Sequence, residues 1–184
     1  DDCNTTLVPY GQMTLTEGGR DMFYYNDYSE IGSTKPLVNA DFKDFIIDGG
    51  YMEGGSYNTS GKGFMINVCE DCDWDNVFVK NTYATGFGMD CTINCTINDC
   101  YAENCGRKAK EAVAAGELDE TKVLGASGFG IGTGYSDDES IVITNCRSVG
   151  SAKYGFFFEH QARFKTSFDM YPAKNGNFIF CYKC

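Results

Sequence analysis

Residues 86–103, GFGMDCTINCTINDCYAE, hold two kinds of short strand separated by polar turns. The first, Gly86-Phe87-Gly88-Met89, returns as Gly63-Phe64-Met65-Ile66, Gly128-Phe129-Gly130-Ile131 and Gly155-Phe156-Phe157-Phe158. The second, Cys95-Thr96-Ile97, returns as Phe45-Ile46-Ile47, Val77-Phe78-Val79 and Ile141-Val142-Ile143. Two residues after each comes Gly49, Asn81, Asp99 or Asn145, then Gly50, Thr82, Cys100 and Cys146, then Tyr51, Tyr83, Tyr101 and Arg147. The corner positions are 32, 18 and 46 residues apart. A strict-period solenoid does not vary that much, whereas coils whose loops grow outward can keep their strands in register. Strands this short cannot each bury a face alone, but stacked in parallel they pair with the coils above and below. A β-sandwich also shows short alternating strands, but not corner and tyrosine columns recurring in one order. The pattern predicts an all-β fold: a right-handed, single-stranded parallel β-helix with one short helical loop insertion. Residues 1–184 are expected to form one domain, with an N-terminal coil or cap over 1–35, clear repeats over 36–161 and a C-terminal region over 162–184.

Alternation assigns the faces. Phe64/Ile66, Phe87/Met89, Phe129/Ile131 and Phe156/Phe158 share one parity and are expected to pile up inside. The other parity sends Met65/Asn67, Gly88/Asp90, Gly130/Gly132 and Phe157/Glu159 to solvent. In the second strand Val77/Val79, Cys95/Ile97 and Ile141/Ile143 point inward. Asn81 and Asn145 are expected to stack as a side-chain amide ladder at the corner.

Charge excludes some partners. With 15 basic and 26 acidic residues the net charge is −11, which repels nucleic-acid phosphates and anionic membrane surfaces. No apolar run approaches the roughly 18 residues of a membrane span. The sequence begins Asp-Asp-Cys, without Met or a signal-peptide pattern, as a processed form or a piece of something longer would. Ten cysteines include Cys69-x-x-Cys72 and Cys181-x-x-Cys184, but these pairs lie 109 residues apart, a weak spacing for a four-thiolate zinc site. The expectation is buried free thiols acting as small hydrophobes, with disulfides the alternative in an exported protein. No metal or cofactor is expected, calcium being the alternative. The acidic stretches Glu70–Asp75 and 136–139 would supply its oxygens, with Asp73 aligned on Asp137 and Asp75 on Glu139.

The phrases GASGFGIGTG (125–134), TNCRSVGSAK (144–153) and YGFFFE (154–159) resemble those of the pectate-lyase-like, right-handed β-helix superfamily, including phage-tail and secreted carbohydrate-active proteins. The resemblance spans Pro36 to Gln161 and is specific for fold rather than reaction. The Gly-His-Gly and Arg-Ile-Lys segments of polygalacturonases and the Asp-Pro-His-Glu motif of alginate epimerases are absent, so neither activity carries over. What the resemblance implies is a polysaccharide lying across the outward face of one strand column, flanked by variable loops.

The Gly-aromatic column is the expected floor, because the longest insertion, Arg107 to Gly125, precedes one of its strands and reads as a short helix walling a groove. Four residues after each leading glycine stand Asn67, Asp90, Gly132 and Glu159. Asp90 and Glu159, two coils or roughly 10 Å apart, flank a bare floor at Gly130 and Gly132. Side-chain reach brings such a pair toward the ~6.5–9.5 Å of an inverting hydrolase, one acid protonating the leaving oxygen and the other activating water. His160, the single histidine, is a further catalytic candidate or a packed structural residue. A lyase would need a cation for a uronate carboxylate, for which Arg107, Lys108, Lys153 and Arg163 are available. Tyr51, Tyr83 and Tyr101 form an expected outward column that either stacks to support the sheet or offers flat faces to sugar rings. The expected function is thus a polysaccharide hydrolase or lyase, extracellular or virion-associated, with an epimerase sharing the same groove. The alternative is a non-catalytic glycan-binding or structural element of a tail fibre or adhesin, trimerising through faces such as Phe78 and Phe157.

Overall fold

The structure, a computed structural model, describes residues 5–7, 13–15, 21–26, 35–54, 61–123, 125–133 and 139–160. Two parallel sheets run through it. One stacks Thr5–Leu7, Asp41–Asp48, Asp73–Lys80, the pair Cys95–Asn98 and Tyr101–Glu103, and the pair Ile141–Thr144 and Arg147–Val149. The other stacks Phe23–Asn26, Phe64–Glu70, Phe87–Ile93, Phe129–Thr133 and Phe156–His160, with Leu37–Val38 beside Phe64–Glu70. Met13–Leu15 pairs with Met52–Gly54 in parallel as well. The chain alternates between the two main sheets and rises one strand per circuit, which makes it a parallel β-helix. Strands at 5–7, 13–15 and 23–26 pair with the repeats as well. Residues 161–184 lie outside the described set.

The aromatic pile forms as alternation requires. Phe23, Phe64, Phe87, Phe129 and Phe156 stack in that order with ring centroids 5.1, 5.4, 4.5 and 4.5 Å apart. Phe64, Phe87 and Phe129 are completely buried. Burial of each contributes about 1.5–3 kcal/mol, and each ring pair about 0.5–1.5 kcal/mol more. Between the pile and the opposite sheet pack Ile47, Trp74, Val77, Val79, Ile97 and Ile131.

The turns are made by residues in the left-handed region. Among the described residues, all the non-glycine residues with positive φ are Asn or Asp, except Val68 and Cys91. Asn and Asp reach this region at low cost because a short polar side chain bonds locally. One such residue between two strands bends the chain around a corner. Strand register sorts them into three columns: Asn39–Asp71–Asn94, Asp44–Asn76–Asp99–Asn145, and Asn81–Asn104 with Gly150.

This sorting corrects the sequence alignment at one step. Phe78 faces Tyr101, not Thr96, and Cys95–Asn98 lies instead against the start of the preceding strand, with Thr96 facing Asp73. Asn81 therefore stands in the column of Asn104, whereas Asp99 and Asn145 occupy the corner before it. The expected Asn81–Asn145 ladder does not form. Asp75 likewise faces Asn98, which faces Thr144, so Asp75 and Glu139 are not level and the proposed calcium-loop alignment fails.

The insertion is a helix, Arg107–Ala114, as its composition predicted. It leaves the coil through Gly106 at φ +77 and buries Ala109 against Val123 and Ala126.

Candidate functional site

Register brings the expected floor residues into one column. Asn67 faces Asp90, Asp90 faces Gly132, and Gly132 faces Glu159. The column is not an open floor, however. Asn67 is 3% and Asp90 7% exposed, and Gly132 is buried. Side chains preceding two of the strands lie against this face. Lys62 Nζ reaches Met65 Sδ at 3.0 Å, and the Thr85 methyl would sit 3.3 Å from a Cβ at Gly130. The Asn67 Oδ1 is buried with no hydrogen-bond partner among the described residues. The alternation that sends Asn67 and Asp90 to solvent is therefore not matched by their exposure. Glu159 and His160 pair through their backbones with Gly132 and Thr133, and their side chains lie outside the described set. So does Arg163.

Arg107 and Tyr83 pack against each other. The Arg107 guanidinium donates to the carbonyls of Asn81 at 2.9 Å and Gly49 at 3.1 Å, and also to Met52 O. It lies 4.2 Å from the Tyr83 ring centroid, and Tyr83 is buried beneath it. Arg107 is thus a strut joining three coils. Lys108 is half-exposed beside Glu111, with Nζ 3.7 Å from its carboxylate and 5.7 Å from the Tyr83 ring. Lys153 Nζ caps the Glu120 carbonyl at 3.0 Å.

The three tyrosines do not form a column either. Tyr51 is exposed, Tyr83 is buried, and Tyr101 stands over Phe78 because of the register described above. What forms instead is an outward column of Ile46, Phe78, Tyr101 and Arg147 on successive strands. Phe78 and Tyr101 stack at 4.7 Å between centroids with 25° between planes. Arg147 lies 5.7 Å from the Tyr101 ring, and Lys80 Nζ lies 5.7 Å from that of Phe78. The next outward column holds Asp48, Lys80, Glu103 and Val149, with Lys80 and Asp48 paired at 3.3 Å. Partial burial, then the neighbouring Glu103 carboxylate, hold the Tyr101 phenol above its ordinary pKa, so it stays protonated and able to donate. The face therefore offers a two-ring apolar plate edged by cations and carboxylates. Spacing alone concealed it, because the one-corner misalignment put Tyr101 with Tyr83.

Among the described residues, no group of three His, Cys, Asp or Glu side chains is arranged to hold a metal ion. No described helix is long and apolar enough to cross a membrane. Set against protein families, curated proteins and solved structures, the chain finds no match.

Proposed function

We propose that this chain is a polysaccharide-binding β-helix, extracellular or virion-associated, that holds glycan on the Phe78–Tyr101 plate. The observation that carries the reading is the stacked ring pair on the outward face, edged by Lys80, Arg147, Glu103 and Asp48. Sugar rings present C–H faces that pack on aromatic planes, while their hydroxyls bond to side chains at the edge. The net charge of −11 favours neutral glycans over polyanionic ones. The sequence resemblance to pectate-lyase-like β-helices supports the same substrate class. Titration with neutral and acidic oligosaccharides tests it. Phe78→Ala and Tyr101→Ala should each weaken binding of the preferred glycan by about tenfold, the scale of one aromatic contact. Unchanged affinity in both variants would sink this plate as the site.

A second reading, hydrolysis by Asp90 and Glu159, is favoured by one observation: the two stand on one column with Gly132 between them. The burial of Asp90 weighs against it. Hydrolysis of a glycan library that is abolished by Asp90→Asn with Glu159→Gln, in a protein that still binds, would move the assignment to that column.

A further inference from the structure

Inside the corner formed by Asp71 and Asn94, three thiols meet. Cys69 ends one strand of the aromatic sheet, Cys72 follows it around the corner, and Cys95 lies on the next coil, level with Cys72. The Cys69 and Cys95 sulfurs are 3.7 Å apart, and both cysteines are at most 1% exposed. Cys72 is buried beside them, its Sγ donating to the carbonyls of Glu70 at 3.3 Å and Leu37 at 3.4 Å, and the neighbouring Cys69 and Cys95 thiols hold its own thiol below the ordinary range. A small hydrophobe at each site would satisfy packing alone. Two sulfurs in contact across neighbouring coils, with a third thiol buried beside them, is a more particular arrangement.

We propose that in an oxidising compartment Cys69 and Cys95 form a disulfide that staples one coil to the next. The sulfurs need to close from 3.7 Å to about 2.05 Å, a change within reach of side-chain rotation. Each thiol gives up its proton, one S–S bond forms, and the two electrons pass to a small disulfide such as glutathione disulfide, which splits into two thiols. Because the folded coil buries both sulfurs, the oxidant meets them while the coil is still open, so the bond is set during folding.

The test uses the chain secreted into an oxidising compartment. The protein is denatured in iodoacetamide without reductant and cleaved at Glu70 and Asp71, which separates Cys69 from Cys72. Mass spectrometry should find a peptide joining Cys69 to Cys95. Cys72→Ala should keep that peptide, and Cys69→Ala should lose it. The linkage closes a 26-residue separation, so the oxidised protein should melt about 6–12 °C above its reduced form. Recovery of Cys69 and Cys95 as alkylated thiols, or of Cys95 joined to Cys72 in place of Cys69, overturns the proposal.

Discussion

Asn104 donates its side-chain amide to Oδ1 of Asn81 on the neighbouring coil, at 2.9 Å. That bond is the middle of a chain. Asn81 donates onward to Asp48 Oδ1 at 2.9 Å, and Lys110 Nζ donates to Asn104 Oδ1 at 2.8 Å. A carboxylate at one end and an ammonium at the other polarise the two amides in the same sense, which strengthens each link. The ladder also fixes two residues in the left-handed region, at φ 57 and 51.

Asn81 therefore carries two separable contributions. Asn81→Ala loses both side-chain bonds and places a Cβ residue without local compensation at positive φ. The expected loss is about 2–4 kcal/mol. Asn81→Gly loses the same bonds but suits the backbone, and should recover about 1 kcal/mol of that. Urea unfolding of the two variants separates the effects; equal losses would mean that the corner backbone is unstrained.

Asp48 ends the ladder, and its pKa should appear in the pH dependence of stability. Burial acts to raise it, but the Asn81 amide, the Gly50 N–H and Lys80 together outweigh burial and leave it lowered. A depressed carboxylate stabilises the fold above its unfolded pKa of about 3.9 and loses that contribution as pH falls through the folded value. Asp48→Asn should thus flatten the acid limb below about pH 4 and leave its slope near neutrality unchanged. Asp48 keeps 22% of its side chain exposed, so solvent tempers the effect, and urea midpoints measured between about pH 2 and 5 are the suitable readout.

How much of this was legible in the sequence depends on which column is read. The aromatic pile was, because Phe64, Phe87, Phe129 and Phe156 each follow a glycine and repeat with one parity. The corners were only half legible. Asp71–Asn76–Asn81 and Asn94–Asp99–Asn104 share a five-residue step, and the two sets lie 23 residues apart. Aligning strands by their apolar residues matched Val77-Phe78-Val79 to the wrong member of the next coil, one corner early. That slip hid the Phe78–Tyr101 plate and invented a tyrosine column. The burial of Asp90 was not legible, since alternation gives a residue's parity and not what packs over it.

The leading glycines were visible as a motif, but their reason lies in the packing. A Cβ at Gly128 would come 2.1 Å from Ser148 Oγ and 2.9 Å from Gly155 O. A Cβ at Gly86 would come 2.7 Å from Cys105 Sγ and 2.8 Å from Gly128 O. Backbone cannot yield cheaply there, so Gly128→Ala should cost about 3 kcal/mol or more. Gly116, at φ +73 with nothing within 4 Å of a Cβ, isolates the conformational effect. Gly116→Ala should cost only about 1–2 kcal/mol. Similar melting temperatures for the two variants would show that close approach is not what the glycine column provides.

Arg107 separates a structural from a substrate role most sharply. Its Nε and Nη2 donate in different directions, to Asn81 O at 2.9 Å and Gly49 O at 3.1 Å, while its plane covers Tyr83. Lysine keeps the charge but not the planar fork, so it can serve one of these carbonyls and leaves the others underbonded. Arg107→Lys should lower stability by about 2–3 kcal/mol, seen as an earlier thermal transition. Glycan affinity measured well below that transition should stay at the parent value, because the plate at Phe78 and Tyr101 lies on another part of the coil. An Arg107→Lys protein that melts like the parent yet binds glycan at least tenfold more weakly would return Arg107 to the substrate site.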